Sequence, residues 1–139
     1  MKIAILGWGS LLWERRIEFD EQHEDWKFDG PSLKLEFSRI SQTRNKALTL
    51  VLDLKNGQLC QVAYAYSKRK NPDDAVCDLR CREGTGLKNI GVYFFDGSRE
   101  QPYEDASLKS IRVWATKSGV DIVIWTALVS NFHPRVQVD

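Results

Sequence analysis

Glu83 is the carboxylate whose position suggests chemistry. It closes Pro72 to Glu83, the stretch with the clearest helical signals in the chain. Pro72 suits a first turn, Asp73 and Asp74 suit the positive end of the helix dipole, and Gly84 provides a stop. At about 100° per residue, Val76, Leu79 and Glu83 fall within one apolar stripe, so the face that packs the helix should carry Glu83 inward. Partial burial and the negative end of the dipole both disfavour the charged carboxylate, which suits a group that must take up and return a proton. Arg82 lies about 100° further round and is no automatic partner. The structural alternative is a helix-end glutamate that frays into water.

A second set of residues could supply backbone donors. Ile3 to Leu6 run without a polar break into Gly7-Trp8-Gly9-Ser10. An apolar run closed by glycine reads as a strand buried on both faces. The two glycines permit a sharp turn with exposed N–H groups, able to hold a carboxylate or an oxyanion. Leu11, Leu12 and Trp13 would anchor the far side of the turn in apolar surroundings. Arg39 and Ser41 form another candidate pair. If the two-residue alternation of Leu33, Leu35 and Phe37 continues, both enter the interior, where a guanidinium needs an anionic partner. If the strand ends by residue 39, both are solvated.

Other signals are discounted on context. Gly7-x-Gly9 lacks the third glycine of a dinucleotide fingerprint, since position 12 is Leu12, and a β-meander rather than βαβ units follows Gly30. Cys77 and Cys81 are four apart on a helix flank, but no His or carboxylate set completes a metal site, and packing is the expected role. His23 and His133 fall in polar segments and read as surface residues. Lys68-Arg69-Lys70 reads as a solvated turn.

The elements that must position these groups follow from the remaining pattern. Glu14 to Asp25 is an acid-rich connection with room for a helical turn or two, and Gly30-Pro31 punctuates it. Strands are expected over Ser32 to Ser41, Ala47 to Leu54 and Leu59 to Tyr66. Asn56-Gly57 is a hairpin signal that makes these a meander. Ile90 to Phe95 reads as a strand with a turn at Asp96-Gly97, and Gln101 to Lys109 as loop or short helix. Ile111 to Thr116 and Asp121 to Val129 read as a final hairpin, followed by a loose tail. About six strands and one clear helix make a single α+β domain, a small, mostly antiparallel curled sheet or β-barrel with one or two flanking helices.

The whole-chain totals restrict partners. With 139 residues, 42% apolar and 28% charged, the chain can bury one genuine core. Twenty basic against nineteen acidic residues leave a net charge of +1, with no excess to hold nucleic acid or an anionic membrane. No apolar stretch approaches the ~20 residues of a membrane helix, and the N-terminus enters a strand directly, without a signal peptide. Cys60, Cys77 and Cys81 lack the spacing of a disulfide framework, so free thiols and a cytoplasmic location are expected.

Trp8-Gly9-Ser10-Leu11, taken with Glu83 after a helix in Leu79-Arg80-Cys81-Arg82-Glu83, resembles the gamma-glutamylcyclotransferase-like superfamily. That family opens with a strand entering a Tyr-Gly-Ser-Leu or Tyr-Gly-Ser-Asn loop and places its catalytic glutamate at a helix end, often as Arg-Glu. Ser41 and Arg44 before Leu48-Thr49-Leu50-Val51 are spaced as in the glutathione-acting branch, so the resemblance spans residues 3 to 95. It implies a small mixed β-barrel with a pocket beside the glycine loop. It also implies a reaction without metal or cofactor, in which a γ-glutamyl compound closes on itself to release 5-oxoproline and an amino acid or amine. Carried over, Glu83 is the proton carrier, and Trp8, Gly9, Ser10 and Leu11 bind the glutamyl end, with Arg39 and Ser41 as further binding residues. Trp8 replaces the family's loop tyrosine, removing a hydroxyl and changing the pocket wall. The chain is also short for the glutathione-acting branch, so a smaller γ-glutamyl amine or peptide is as compatible as glutathione. The alternative is a non-catalytic small-molecule-binding or regulatory module on the same fold.

Overall fold

The computed structural model describes residues 1–41, 47–52, 58–101 and 105–127, with 36–41, 47–52, 101 and 105–106 described by their backbone. Strand β1 (Ile3–Gly7) is buried along its whole length. It pairs antiparallel with β5 (Ala63–Tyr66) and parallel with β8 (Ile122–Thr126). Outside β8 lie β6 (Ile90–Phe94) and the short β7 (Glu100–Gln101), giving the order β5-β1-β8-β6-β7. A second sheet places β2 (Ser32–Ser41) between β3 (Ala47–Leu52) and β4 (Gln58–Gln61), both antiparallel to it.

The alternation along β1 separates two cores. Ile3 and Ile5 face one way, among Ile122, Ile124, Ile90 and Val92. Helix α3 (Pro72–Glu83) covers this side with Ala75, Val76 and Leu79, assisted by Leu11 of the single-turn α1 (Ser10–Trp13) and Phe19 of α2 (Ile17–Asp20). Ala4 and Leu6 face the other way, among Val123, Trp125 and Tyr93. Here Leu108, Ile111 and Ala115 of α4 (Asp105–Ser118) close the core together with Leu33 and Leu35 of the smaller sheet. A strand apolar on both faces is what this three-layer arrangement requires.

The helix over Pro72 to Glu83 forms as the sequence predicts. The Asn71 side chain caps it by accepting from the Asp73 N–H at 2.9 Å, and Gly84 ends it. Other expectations need correction. Ile111 to Thr116 is no strand but part of α4. Its β-branched and aromatic residues mask a stripe at 108, 111 and 115 that is buried against the sheet. The proposed final hairpin therefore does not exist, and β8 returns beside β1 in parallel. Leu59 to Tyr66 is not one returning strand. It divides at Val62, whose N–H donates to the Pro31 carbonyl (2.9 Å) and whose carbonyl accepts from the Gly30 N–H (3.0 Å). The portion before Val62 joins β2, while the portion after it joins β1. Asn56-Gly57 and the tail from residue 128 lie outside the described residues. Among the described residues the strands make two sheets, mixed and mostly antiparallel, and no closed barrel.

Leu79, fully buried, holds the middle of α3 against this sheet. Leu79→Ala should lower stability by about 2–5 kcal/mol through a lost side chain and a residual cavity, as read from urea unfolding.

Candidate functional site

β1 and β8 are parallel neighbours and end at the same edge of the sheet. The offset that pairs Ile5 with Ile124 brings Thr126 level with Gly7, where the glycine loop begins. α3 also ends here.

Gly7 and Gly9 serve different purposes in that loop. Gly9 has φ 62° and ψ −140°, a combination nearly restricted to glycine, and it turns the chain into α1. Gly7 has an ordinary backbone, but a side chain there would meet Cη2 and Cζ3 of Trp26 at 2.6 Å. Of the expected anchors, Leu11 is buried and Leu12 half-buried, whereas Trp13 is 67% exposed and anchors nothing. Trp8 is half-buried and packs against the core on the α4 side of the sheet, away from α3.

Glu83 lies half-buried at the same edge. Its Oε1 accepts from Thr126 Oγ1 at 2.9 Å, which fixes the carboxylate over the end of β8. Its Oε2 is 3.4 Å from Nη1 of Arg82. Arg82 thus turns out to be the partner that the helical count placed elsewhere. Its side chain is only 4% exposed, Nη2 donates to the Ser10 carbonyl at 3.1 Å, and the same nitrogen is 3.6 Å from Glu14 Oε2. One guanidinium therefore joins the α3 terminus, the glycine loop and the start of the acid-rich connection. A planar group with several fixed donors can do this, and its burial is sustained by the acceptors it reaches.

Two members of this cluster escaped the sequence reading, though each left a signal. Arg82 is three residues after Leu79 and so borders the buried stripe, but its offset of about 100° from Glu83 along the helix hides the pairing. Thr126 follows Ile122 and Ile124 on the α3-facing side of β8, the one hydroxyl in that alternation. Arg39 and Ser41 lie on β2, in the other sheet. The β2–β3 register shifts between Phe37 and Arg39, interrupting the alternation on which their placement rested, and their side chains lie outside the described ones. Cys77 and Cys81 are both exposed and do not pack. His23 is buried, contrary to the surface position expected of it; His133 lies outside the described residues. Arg69, from the basic turn, makes a two-pronged bond to Asp78 at 2.8 and 2.9 Å that braces α3 from its outer side.

Among the described residues no group of three or more His, Cys, Asp or Glu side chains is arranged to hold a metal ion, and no helix is long and apolar enough to cross a membrane. Compared with protein-family models, with curated proteins and with solved structures, the chain matches none.

Chemically, the cluster offers a carboxylate held by a hydroxyl on one oxygen and faced by a guanidinium on the other. It stays 20% exposed beside a loop whose backbone is set by Gly9. Arg82→Met should cost about 2–3 kcal/mol in urea unfolding, less than a fully buried ion pair because Glu14 and Glu83 reach solvent. Thr126→Val, which removes one hydrogen bond and little volume, should cost about 1 kcal/mol.

Proposed function

We propose that the chain is a cofactor-independent cyclotransferase acting on a small γ-glutamyl compound. The observation that supports this reading best is the short path from Glu83 through Arg82 to the Ser10 carbonyl. It sets a partly exposed carboxylate beside a loop resembling that of the gamma-glutamylcyclotransferases. In the reaction, the substrate's α-amine attacks its own γ-carbonyl, the bond to the second amine breaks, and the ring closes as 5-oxoproline. Glu83 takes the proton released by the attacking amine and delivers it to the departing one, so the carboxylate ends as it began. Backbone groups of Gly9, Ser10 and Leu11 hold the glutamyl end, with Trp8 as the altered part of the wall and Arg39 and Ser41 as further binding residues. The same reading takes the two sheets, joined where the chain crosses between them at Val62, as a form of that family's fold. Three exposed free thiols, Cys60, Cys77 and Cys81, suit a reducing cytoplasm.

A second reading, a binding or regulatory module without turnover, draws on the Arg82–Glu83 contact, since an ion-paired carboxylate can be purely structural. One experiment separates the two. The wild-type protein is incubated with a panel of γ-glutamyl amines and peptides, and 5-oxoproline is measured. Release by the wild type, falling by on the order of a hundredfold or more in a folded Glu83→Gln variant, supports the enzyme. Saturable binding of a panel member with no 5-oxoproline would mean the module.

A further inference from the structure

Strand β4 is the outer member of the smaller sheet, paired on one side with β2. All four of its residues are exposed, and the run Gln-Leu-Cys-Gln carries neither charge nor proline. Sheet edges are normally protected by one of those means or by a covering segment. The larger sheet is protected at both sides. The connection bridges its β5 edge at His23 and Lys27, and its β7 edge is two residues long and carries Glu100, paired to Arg112 at 2.7 Å. Among the described residues β4 has no such cover, so alternate N–H and C=O groups along it face outward as a template for another strand.

Beside that edge an open groove of about 420 Å³ follows α4. Pro31, Leu59, Val113 and Trp114 make its apolar wall, with Leu59 68% and Val113 52% exposed. Trp114 is held in place. Its Nε1 donates to the Asp29 carbonyl at 3.1 Å, and its ring meets that of Tyr64 edge-on, 4.8 Å between centroids. A fixed aromatic among exposed aliphatic side chains is a common anchor of protein interfaces. The charged residues of the groove are Lys109 and Lys117, both exposed, and no carboxylate among the described residues lines it. Each lysine is four residues from Val113, so the three share one stripe of the helix. Eight helical residues separate the lysines by about 12 Å, which an extended chain spans in about four residues. A second copy could match the β4 edge, but the groove and β4 carry no carboxylate to meet the lysines of an identical patch.

We propose that β4 and this groove take up an extended segment of a partner protein, added as a fourth strand to the smaller sheet and carrying the pattern acid-x-apolar-x-acid. The segment's backbone bonds to β4, and its central apolar side chain packs on Val113 and Trp114. Its two carboxylates pair with Lys109 and Lys117, which sets both register and charge preference. The surface is separate from the cluster at Glu83 and survives or fails independently of the cyclotransferase reading.

Titration calorimetry on the full chain tests this with the acetylated and amidated peptide Thr-Thr-Glu-Thr-Val-Thr-Glu-Thr-Thr. It should bind saturably with a Kd on the order of 0.1–1 mM. The peptide with Lys in place of both Glu should not bind. Moving the second Glu by one residue puts it on the opposite face of the strand and should weaken binding roughly tenfold. Lys109→Glu with Lys117→Glu, both at the surface, should weaken the first peptide on the order of tenfold or more. Two further peptides are N-methylated at alternate residues, one at odd and one at even positions. One of them should lose binding, because its methyl groups fall on the side that bonds to β4. In sedimentation velocity the chain alone should be a monomer. No saturation by about 5 mM peptide, equal binding of the Lys peptide, undiminished binding by the double variant or by both methylated peptides would each overturn the proposal. So would a dimer that Leu59→Asp disperses, since a second copy would then occupy the edge.

Discussion

Burying a guanidinium is unfavourable unless its donors find acceptors, and Arg82 meets most of that demand through Nη1 and Nη2, which tie the end of α3 to the loop leaving β1, while its buried Nε finds none among the described residues. The Ser10 carbonyl, the Glu83 carboxylate and the Glu14 carboxylate all lie within 3.1 to 3.6 Å of it. None of the three is its neighbour in the core layers, so the charge does what apolar packing alone does not. It fixes the rotation of the α3 terminus relative to the loop leaving β1. An apolar residue at position 82 could fill the same volume, but it would leave the Ser10 carbonyl with the Glu14 N–H (2.8 Å) alone and the two glutamates without a shared cation.

The sheet makes that meeting possible. β1 and β8 run parallel and finish together, so the loop after Gly7 and the hydroxyl of Thr126 arrive at one edge. α3 lies across the same face through Ala75, Val76 and Leu79, and its last turn reaches that edge as well. Each fully buried aliphatic side chain on this face contributes about 1.5–3 kcal/mol. The core therefore sets where the elements lie, and the polar groups at its rim fix how the α3 terminus meets the loop. Loops carried by such a frame are where binding and chemistry are usually found.

The acid-rich connection from Glu14 to Asp25 has a different character. It has the composition of a solvated linker, yet Phe19, His23 and Trp26 turn inward from it. The Glu24 N–H donates to the Tyr66 carbonyl at 2.8 Å, and the Lys27 N–H to that of Tyr64 at 2.7 Å. The connection is thereby bonded along the free side of β5, covering an edge that would otherwise be open to another strand. His23 is buried as a consequence of that attachment. Its residue type and local pattern carry no sign of this, because the groups that enclose it come from Phe19 and Trp26 on either side of a turn and from a strand more than forty residues later.

Local pattern was sufficient for much of the fold. The doubly buried β1, the turn at Gly9, the capped helix ending at Gly84 and the inward tilt of Glu83 all follow from near-neighbour spacing, and each is present. What required the tertiary structure were relations between distant segments: the switch of sheets at Val62, the parallel return of β8, Thr126 beneath Glu83, and Arg82 reaching Ser10. α4 marks the boundary between the two. Its residues have strand-like types, its stripe has a helical period, and burial against the sheet decides for the period. Spacing along a chain reports which side of an element is apolar, whereas which polar groups meet at its end depends on where other elements stop. That is a property of the packed layers and is written in no single stretch of the sequence.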